Sequence, residues 1–201
     1  MRVIKYAFIY MLLAIFTGCT YYTPYIISLT DVDRSDDTSV LYGGNNVEVI
    51  DTLGYEFEDS LLKIIWIPTR SRFNFILSNK TQHSIKIIWD ESVYVDSRGI
   101  NQGVTHLGTK YTDHNSPQHP SIILKNGSIE DMIIPSNNIY YSSGWGVKDL
   151  FPNNSDSKSI SIIKAAKHIG ETVKILLAVE SQGITHEYIF TFRVDGVVLP
   201  Q

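Results

Sequence analysis

Arg72-Phe73-Asn74-Phe75-Ile76-Leu77-Ser78 is the stretch of this chain that decides its fold class most clearly. Phe73, Phe75 and Leu77 recur at every second position. Because successive side chains of a β-strand point to opposite faces of a sheet, this alternation predicts a strand with these three residues on one face.

The same texture of short apolar runs, separated by turn residues, continues on both sides of this stretch. Residues 84–89 follow a turn and would place Ile85, Ile87 and Trp89 on one face. Residues 92–96 are predicted as another strand, with Val93 and Val95 facing inward. Further strands are predicted at residues 61–67, 121–124 and 129–134.

Two longer runs near the C-terminus, residues 171–179 and 184–194, flank Ser181-Gln182-Gly183, which predicts a compact hairpin. In the second run Tyr188, Phe190, Phe192 and Val194 alternate with more polar residues and are expected to share a face. Residues 160–170 are the one stretch with helical character.

Roughly eight or nine short strands without long helices predict an all-β sandwich over residues 45–201, with Trp66 and Trp89 in its core. The Phe-x-Phe-x-Leu-x-Asn strand and the closing Tyr-x-Phe-x-Phe hairpin resemble the immunoglobulin-like β-sandwich of many bacterial surface lipoproteins. This resemblance implies an architecture and no function, because the fold hosts adhesins, chaperones, carbohydrate-binding modules and spacers.

The N-terminus has the layout of a secretory signal. Arg2 and Lys5 precede an apolar run over residues 6–16, which small residues close before the single cysteine, Cys19. The ending Phe16-Thr17-Gly18-Cys19 resembles the lipobox of bacterial lipoproteins. That resemblance implies a signal peptide at residues 1–18 and Cys19 as the lipidated mature N-terminus. A plain cleaved signal or an uncleaved anchor helix is the alternative.

Residues 19–44 are predicted to be the lipidated N-terminus followed by an acidic tether, rich in aspartate from Asp31 to Asp37. Tyr21, Tyr22 and residues 25–27 are less typical of a linker, and packing of part of this stretch on the body is the alternative. The full chain has a formal charge of −4, and removal of residues 1–18 leaves −6. An acidic body argues against a nucleic-acid partner and against a polybasic membrane patch. The membrane is therefore expected as a partner through the lipid on Cys19.

His106, His114 and His119, with Asp113, fall within one long segment and could supply zinc ligands. Their spacing matches no compact ligand motif, and the surrounding residues are typical of an irregular loop. We therefore expect no metal or other cofactor. A metal-dependent envelope hydrolase that uses this loop remains the alternative. No catalytic motif is recognised elsewhere, so the expected protein is not an enzyme.

Tyr140, Tyr141 and Trp145 lie in a Gly- and Ser-rich segment that predicts a loop. Exposed rings there could stack on sugars or anchor a protein partner; in the alternative, Trp145 is buried as a plug at one end of the sandwich.

The sequence thus predicts a non-catalytic binding or structural module, lipid-anchored in the bacterial cell envelope, with an envelope protein or a glycan as possible partner. Thr20 stands where an aspartate would favour inner-membrane retention, which favours the outer membrane. A periplasmic chaperone or assembly subunit is a further alternative, and it predicts an exposed sheet edge that accepts a partner strand.

Overall fold

The computed structural model describes residues 20–34, 47–50 and 54–199, with the backbone alone for 47–50. The predicted signal peptide at residues 1–18, Cys19 and the part of the predicted tether after Arg34 lie outside the described residues.

The described part of the chain is built almost entirely from β-strands. The strands are β1 (Tyr25–Arg34), β2 (Val47–Ile50), β3 (Gly54–Glu58), β4 (Leu62–Pro68), β5 (Phe73–Asn79), β6 (Ile85–Ile87), β7 (Val93–Val95), β8 (Asn101–Thr105), β9 (Ser121–Ile123), β10 (Ser128–Pro135), β11 (Ile139–Tyr141), β12 (Trp145–Val147), β13 (Thr172–Ser181) and β14 (Ile184–Val197). The α-helix of the described residues is α1 (Lys158–Ala166), which overlaps the stretch predicted to be helical, residues 160–170.

All strand pairs are antiparallel, and the main path runs β1-β14-β13-β7-β8-β10-β5-β4-β3-β2. Strand β6 pairs with β13 and β9, and β11 and β12 form a separate hairpin. One layer contains β1, β14, β13, β7 and β8, and the other contains β10, β5, β4, β3 and β2. The two layers join where β8 meets β10, with Thr105 opposite Ile134. Strand β1 approaches β2 and β3 at the other side, so the sandwich is nearly closed like a barrel.

The core lies where aromatic side chains of the two layers meet. Trp66 of β4 lies 5.0 Å from Phe190 and 5.6 Å from Phe192 of β14, ring centre to ring centre. Phe73 of β5 lies 4.7 Å from Phe192. Such edge and tilted contacts add about 0.5–1.5 kcal/mol per pair beyond the burial of apolar area. Ring packing across the layers therefore holds the sandwich together.

The predicted all-β class is confirmed, while the immunoglobulin-like topology remains a prediction. The alternating residues of β5 and β14 are all buried, at no more than 1% exposure. Trp66 and Trp89 are buried as well. Within the described residues the longest helix is the nine-residue α1, and none is long and apolar enough to cross a bilayer.

The predicted tether is wrong over Tyr25–Arg34, which form a ten-residue strand. This strand pairs along β14, with Leu29 opposite Phe192, and Leu29 is buried. The physical reason is that β14 would otherwise present an unpaired edge with a row of unsatisfied backbone groups. The folded domain therefore begins before residue 45.

The predicted facing of residues 92–96 is also wrong. Ser92 and Tyr94 are buried, whereas Val93 and Val95 are half-buried. A turn of 3-10 helix at Trp89–Glu91 separates β6 from β7. Ser92 is then drawn inward, because its hydroxyl donates to the Ile88 carbonyl (2.9 Å) and accepts from the Ala178 amide (3.1 Å).

Candidate binding site

The segment predicted as an aromatic loop is a short hairpin, β11–β12. Tyr140 pairs with Gly146, and Tyr141 pairs with Trp145. The exposed fractions are 43% for Tyr140, 67% for Tyr141 and 44% for Trp145. The alternative in which Trp145 plugs an end of the sandwich is therefore wrong.

Four rings meet beside this hairpin, and we call this group the aromatic platform: Tyr111, His114, Tyr141 and Trp145. Trp145 is at its centre, 5.3 Å from Tyr141 across the hairpin, 6.3 Å from Tyr111 and 6.2 Å from His114. Tyr and Trp supply large contact area at a low cost in side-chain entropy. The platform joins the hairpin to the segment that connects β8 with β9.

Tyr140 lies on the backbone of the opposite strand. A Cβ atom placed on Gly146 would lie 2.7 Å from the Tyr140 Cζ atom, closer than real Cβ contacts. Glycine at position 146 therefore allows the Tyr140 ring to lie flat across the hairpin.

A cavity of about 330 Å³ opens next to the platform, and His114 belongs to both. Trp89 and Val104 contribute apolar lining. The polar lining residues are Asp90, Ser92, His114, Asn115, Ser116, Gln118, Ser136 and Asn137. Small-ligand sites are usually concave, with polar groups that fix the orientation of the ligand, and this cavity is more polar than most such sites.

Gln118 holds one wall of the cavity in place. Its side-chain nitrogen donates to the Val104 carbonyl of β8 (2.6 Å), and its side-chain oxygen accepts from the Thr109 hydroxyl (3.0 Å). Its backbone amide donates to the Asp90 carboxylate (2.9 Å). These bonds fix the segment after β8 against the sheet, although it contains little regular structure.

His106 has a structural position beneath this segment. Its ring stacks on Trp89, with ring centres 4.3 Å apart and planes 3° from parallel. Its Nδ1 atom lies 3.3 Å from the Asp131 carboxylate, which also accepts from the Leu107 amide (2.7 Å) and the Met132 amide (2.7 Å). His106 thus joins the segment to the core.

The three histidines of the metal alternative do not come together. The ring of His114 lies against the Tyr111 carbonyl (Nδ1, 2.6 Å) and the Asn115 amide nitrogen (Nε2, 2.9 Å), and His119 is exposed. Across the described ranges no group of three or more His, Cys, Asp or Glu side chains is arranged to hold a metal ion. The geometry gives the hydrolase alternative no support.

Two edges of the sheet bear on the chaperone alternative. The ten-residue β1 pairs with β14 on one side, but its other side approaches β2 and β3 where the sandwich nearly closes, which leaves the shorter β9. Strand β9 pairs with β6 on one side, and it has three residues. Strand addition gains affinity from a row of main-chain hydrogen bonds, and three residues supply few of them. We therefore do not propose this alternative.

The sequence did not single out Tyr111 or, apart from His114, the polar lining of the cavity as functional. Tyr111 and residues 114–118 lie in a segment whose composition is typical of any loop, whereas Asp90, Ser136 and Asn137 come from two separate 3-10 turns. Only tertiary contacts bring these residues close to one another and to Trp145. Comparison of the chain with protein-family models, curated proteins and solved structures returns no match. The function is therefore argued from the residues of the site.

Proposed function

We propose that this protein is a lipid-anchored lipoprotein of the bacterial cell envelope that binds a ligand without catalysis. The anchor is the acyl-modified Cys19, and the outer membrane is the favoured location. The binding site is the aromatic platform with the adjoining cavity, and the ligand class it fits best is a neutral glycan.

The observation that carries the binding proposal is the exposure of three aromatic side chains on a paired hairpin beside a polar cavity. Tyr140, Tyr141 and Trp145 are each more than two-fifths exposed. Large rings that stay exposed to water forgo the favourable free energy of burying apolar surface. Stacking on a ligand would bury that surface. Aromatic side chains are also the commonest anchors of binding energy in interfaces.

The chemistry of the cavity supports a glycan over a charged ligand. Its lining offers amide and hydroxyl groups, and its one carboxylate, Asp90, already accepts from Gln118. Sugars combine hydroxyl groups with an apolar ring face. The hydroxyl groups match the polar lining, and the apolar face matches Trp145.

Trp145→Ala tests the binding site. Removal of a central aromatic anchor costs about 2 kcal/mol or more, so affinity for an envelope polysaccharide fragment should fall about 30-fold, measured by titration calorimetry. Ile184→Ala is the matched control, since Ile184 is exposed at the β13–β14 turn and does not line the cavity. Unchanged glycan affinity in the Trp145 variant would refute the proposed binding site.

The anchor is tested by the intact mass of the protein from a membrane fraction, beside a Cys19→Ala variant. Cleavage before Cys19 with added acyl chains, lost in the variant together with membrane association, is the expected result. A full-length mass with an unmodified Cys19 would refute the lipoprotein proposal and leave the binding proposal to its own test.

A further inference from the structure

The chain leaves the predicted lipidation site and joins the folded body almost at once. Tyr21 and Ser155 exchange both backbone hydrogen bonds, at 2.8 and 3.1 Å. Cys19 precedes Tyr21 by two residues, and two residues of chain reach at most about 8 Å.

The residues after Tyr21 are held firmly to the body. The Arg70 guanidinium lies 3.9 Å from the centre of the Tyr22 ring, and Arg70 itself pairs with Asp149 through two hydrogen bonds. Thr23 is buried and exchanges backbone hydrogen bonds with the Asn153 side chain. No flexible spacer separates Tyr21 from the domain.

The helix α1 lies beside this attachment point, because the Thr23 hydroxyl is 2.8 Å from the Ser161 hydroxyl on the buried side of the helix. Its outer side is unusually apolar. Ile160 is 48% exposed and Ile163 is 60% exposed, and residues three apart share one face of a helix. Ile169, just after the helix, is exposed as well.

The same helix is basic in an acidic protein. Lys158, Lys164 and Lys167 lie on it or at its end, and residues 157–170 contain no acidic residue. The body as a whole carries a formal charge of −6. The negative net charge of the body predicts no polybasic patch, but on α1 positive charge and exposed apolar side chains occur together.

The C-terminal residues add to this end of the molecule. The Val198 amide donates to the Pro24 carbonyl (2.8 Å), and both Val198 and Leu199 are exposed. We call the combined surface of Tyr21, α1, Ile169, Val198 and Leu199 the anchor-side surface.

We propose that the anchor-side surface lies on the lipid bilayer, with Ile160 and Ile163 inserted at the interface and the lysines against anionic headgroups. The proposal rests on the lipid anchor on Cys19 that we propose above. A helix with apolar residues flanked by lysines is the kind of element that binds a membrane interface.

Contact at this end would orient the whole domain. Strand β14 runs from Ile184 to Val197, and fourteen residues in a strand span about 40 Å. The β13–β14 turn at Ile184 would then lie far from the bilayer. Ile184 is 61% exposed and so matches Ile163 in type and exposure.

The test uses the full-length lipidated protein in vesicles of phosphatidylethanolamine and phosphatidylglycerol. Ile163→Cys and Ile184→Cys are each labelled with a polarity-sensitive fluorophore, since acylation leaves Cys19 without a free thiol. Both sites are exposed, so the substitutions should leave folding intact. The expected result is a blue shift at position 163, quenched by brominated lipid, and neither effect at position 184.

The intact mass of the same sample separates this proposal from the lipoprotein proposal. An acylated Cys19 with a water-exposed label at position 163 overturns the membrane contact alone. An unacylated Cys19 refutes the anchor and would itself take up label, so in that case the labelling is repeated on a Cys19→Ala background. A lipid-quenched label at position 163 then supports the contact without the anchor, whereas a water-exposed label overturns both. A blue shift that brominated lipid does not quench would mean that a second copy or another protein covers the surface, which also overturns the contact.

Discussion

Asp59 shows how one side chain can connect three parts of the fold. One carboxylate oxygen accepts from the Leu61 amide (2.8 Å) and the Leu62 amide (2.9 Å), closing the turn between β3 and β4. The other accepts from Arg34 at the end of β1 (3.1 Å) and from the Tyr188 hydroxyl of β14 (2.8 Å). The residue therefore stabilises the side where the sandwich nearly closes.

Asp59→Ala is expected to lower the free energy of unfolding by about 2–3 kcal/mol, because it leaves charged and partly buried donors without their acceptor. Asp33→Ala, at an exposed position of β1, is the control and should change stability by less than about 0.5 kcal/mol. Urea denaturation measures both. Equal losses in the two variants would contradict the connecting role of Asp59.

Asp96 holds a tight turn whose stability should depend on pH. Desolvation opposes its charge, but hydrogen bonds from Ile100 and Arg98 outweigh this effect and lower the pKa of Asp96 below its ordinary value. The amides of both residues and the Arg98 guanidinium donate to the carboxylate at 2.6–3.0 Å. A lowered pKa means that the folded state favours the charged carboxylate.

The stability contributed by the charged Asp96 carboxylate is present above the unfolded-state pKa of about 3.9. It is lost as pH falls through the lower folded-state pKa. Asp96→Asn should cost about 1 kcal/mol at neutral pH, and the difference from the unaltered protein should shrink below pH ~4. Thermal unfolding across pH 2–7 measures it, with exposed Asp31→Asn as control. A constant difference down to the lowest pH would refute the assignment.

At the scale of elements, the β11–β12 hairpin presents rings on a backbone that three residue pairs hold in register. Gly146 is the position where ring placement can be changed without touching the core. The obstruction to a Cβ there is the far end of the Tyr140 side chain, which can rotate away.

Gly146→Ala is therefore expected to displace the Tyr140 ring while changing the melting temperature little. Glycan affinity should fall severalfold if the ring arrangement matters for binding. Gly144→Ala is the control within the same hairpin, because a Cβ at position 144 meets nothing within 4 Å. Equal affinities in the two variants would show that the Tyr140 ring contributes nothing to recognition.

At the scale of the whole molecule, two tryptophans have different roles: Trp66 stabilises the fold, and Trp145 is the proposed ligand contact. Trp66 is fully buried between the layers, in contact with Phe75 of its own layer and with Phe190 and Phe192 of the facing one. Trp145 is exposed on the hairpin. Substitution by alanine should therefore reduce mainly stability at Trp66 and mainly ligand affinity at Trp145.

Trp66→Ala is expected to lower the free energy of unfolding by about 3–5 kcal/mol, through lost burial and the cavity left behind. Trp145→Ala should cost less, about 1 kcal/mol, through its lost ring contacts with Tyr141, Tyr111 and His114, and act mainly on glycan affinity. Denaturation and calorimetry on both proteins separate the effects. A large stability loss at Trp145 would mean that its ring supports the fold and is not free to bind.

Features that depend on neighbouring residues along the chain could be predicted without the structure. Period-two alternation marked β5 and the β13–β14 hairpin, because a strand buries every second side chain wherever it lies in a sheet. It also placed Trp66 and Trp89 in the core and marked Tyr140, Tyr141 and Trp145 as binding candidates. The lipobox-like ending at Cys19 is equally local and remains a prediction.

Features that depend on partners distant in the chain could not be predicted from local patterns. Tyr25–Arg34 became a strand because β14, more than 150 residues later, offers an edge to pair with. The inward facing of Ser92 depends on its bond to Ala178. The platform arises where the segment after β8 meets the β11–β12 hairpin, and the cavity arises where that segment meets residues 89–92 and 136–137. No local sequence pattern encodes these arrangements, because their energy comes from contacts between distant chain segments.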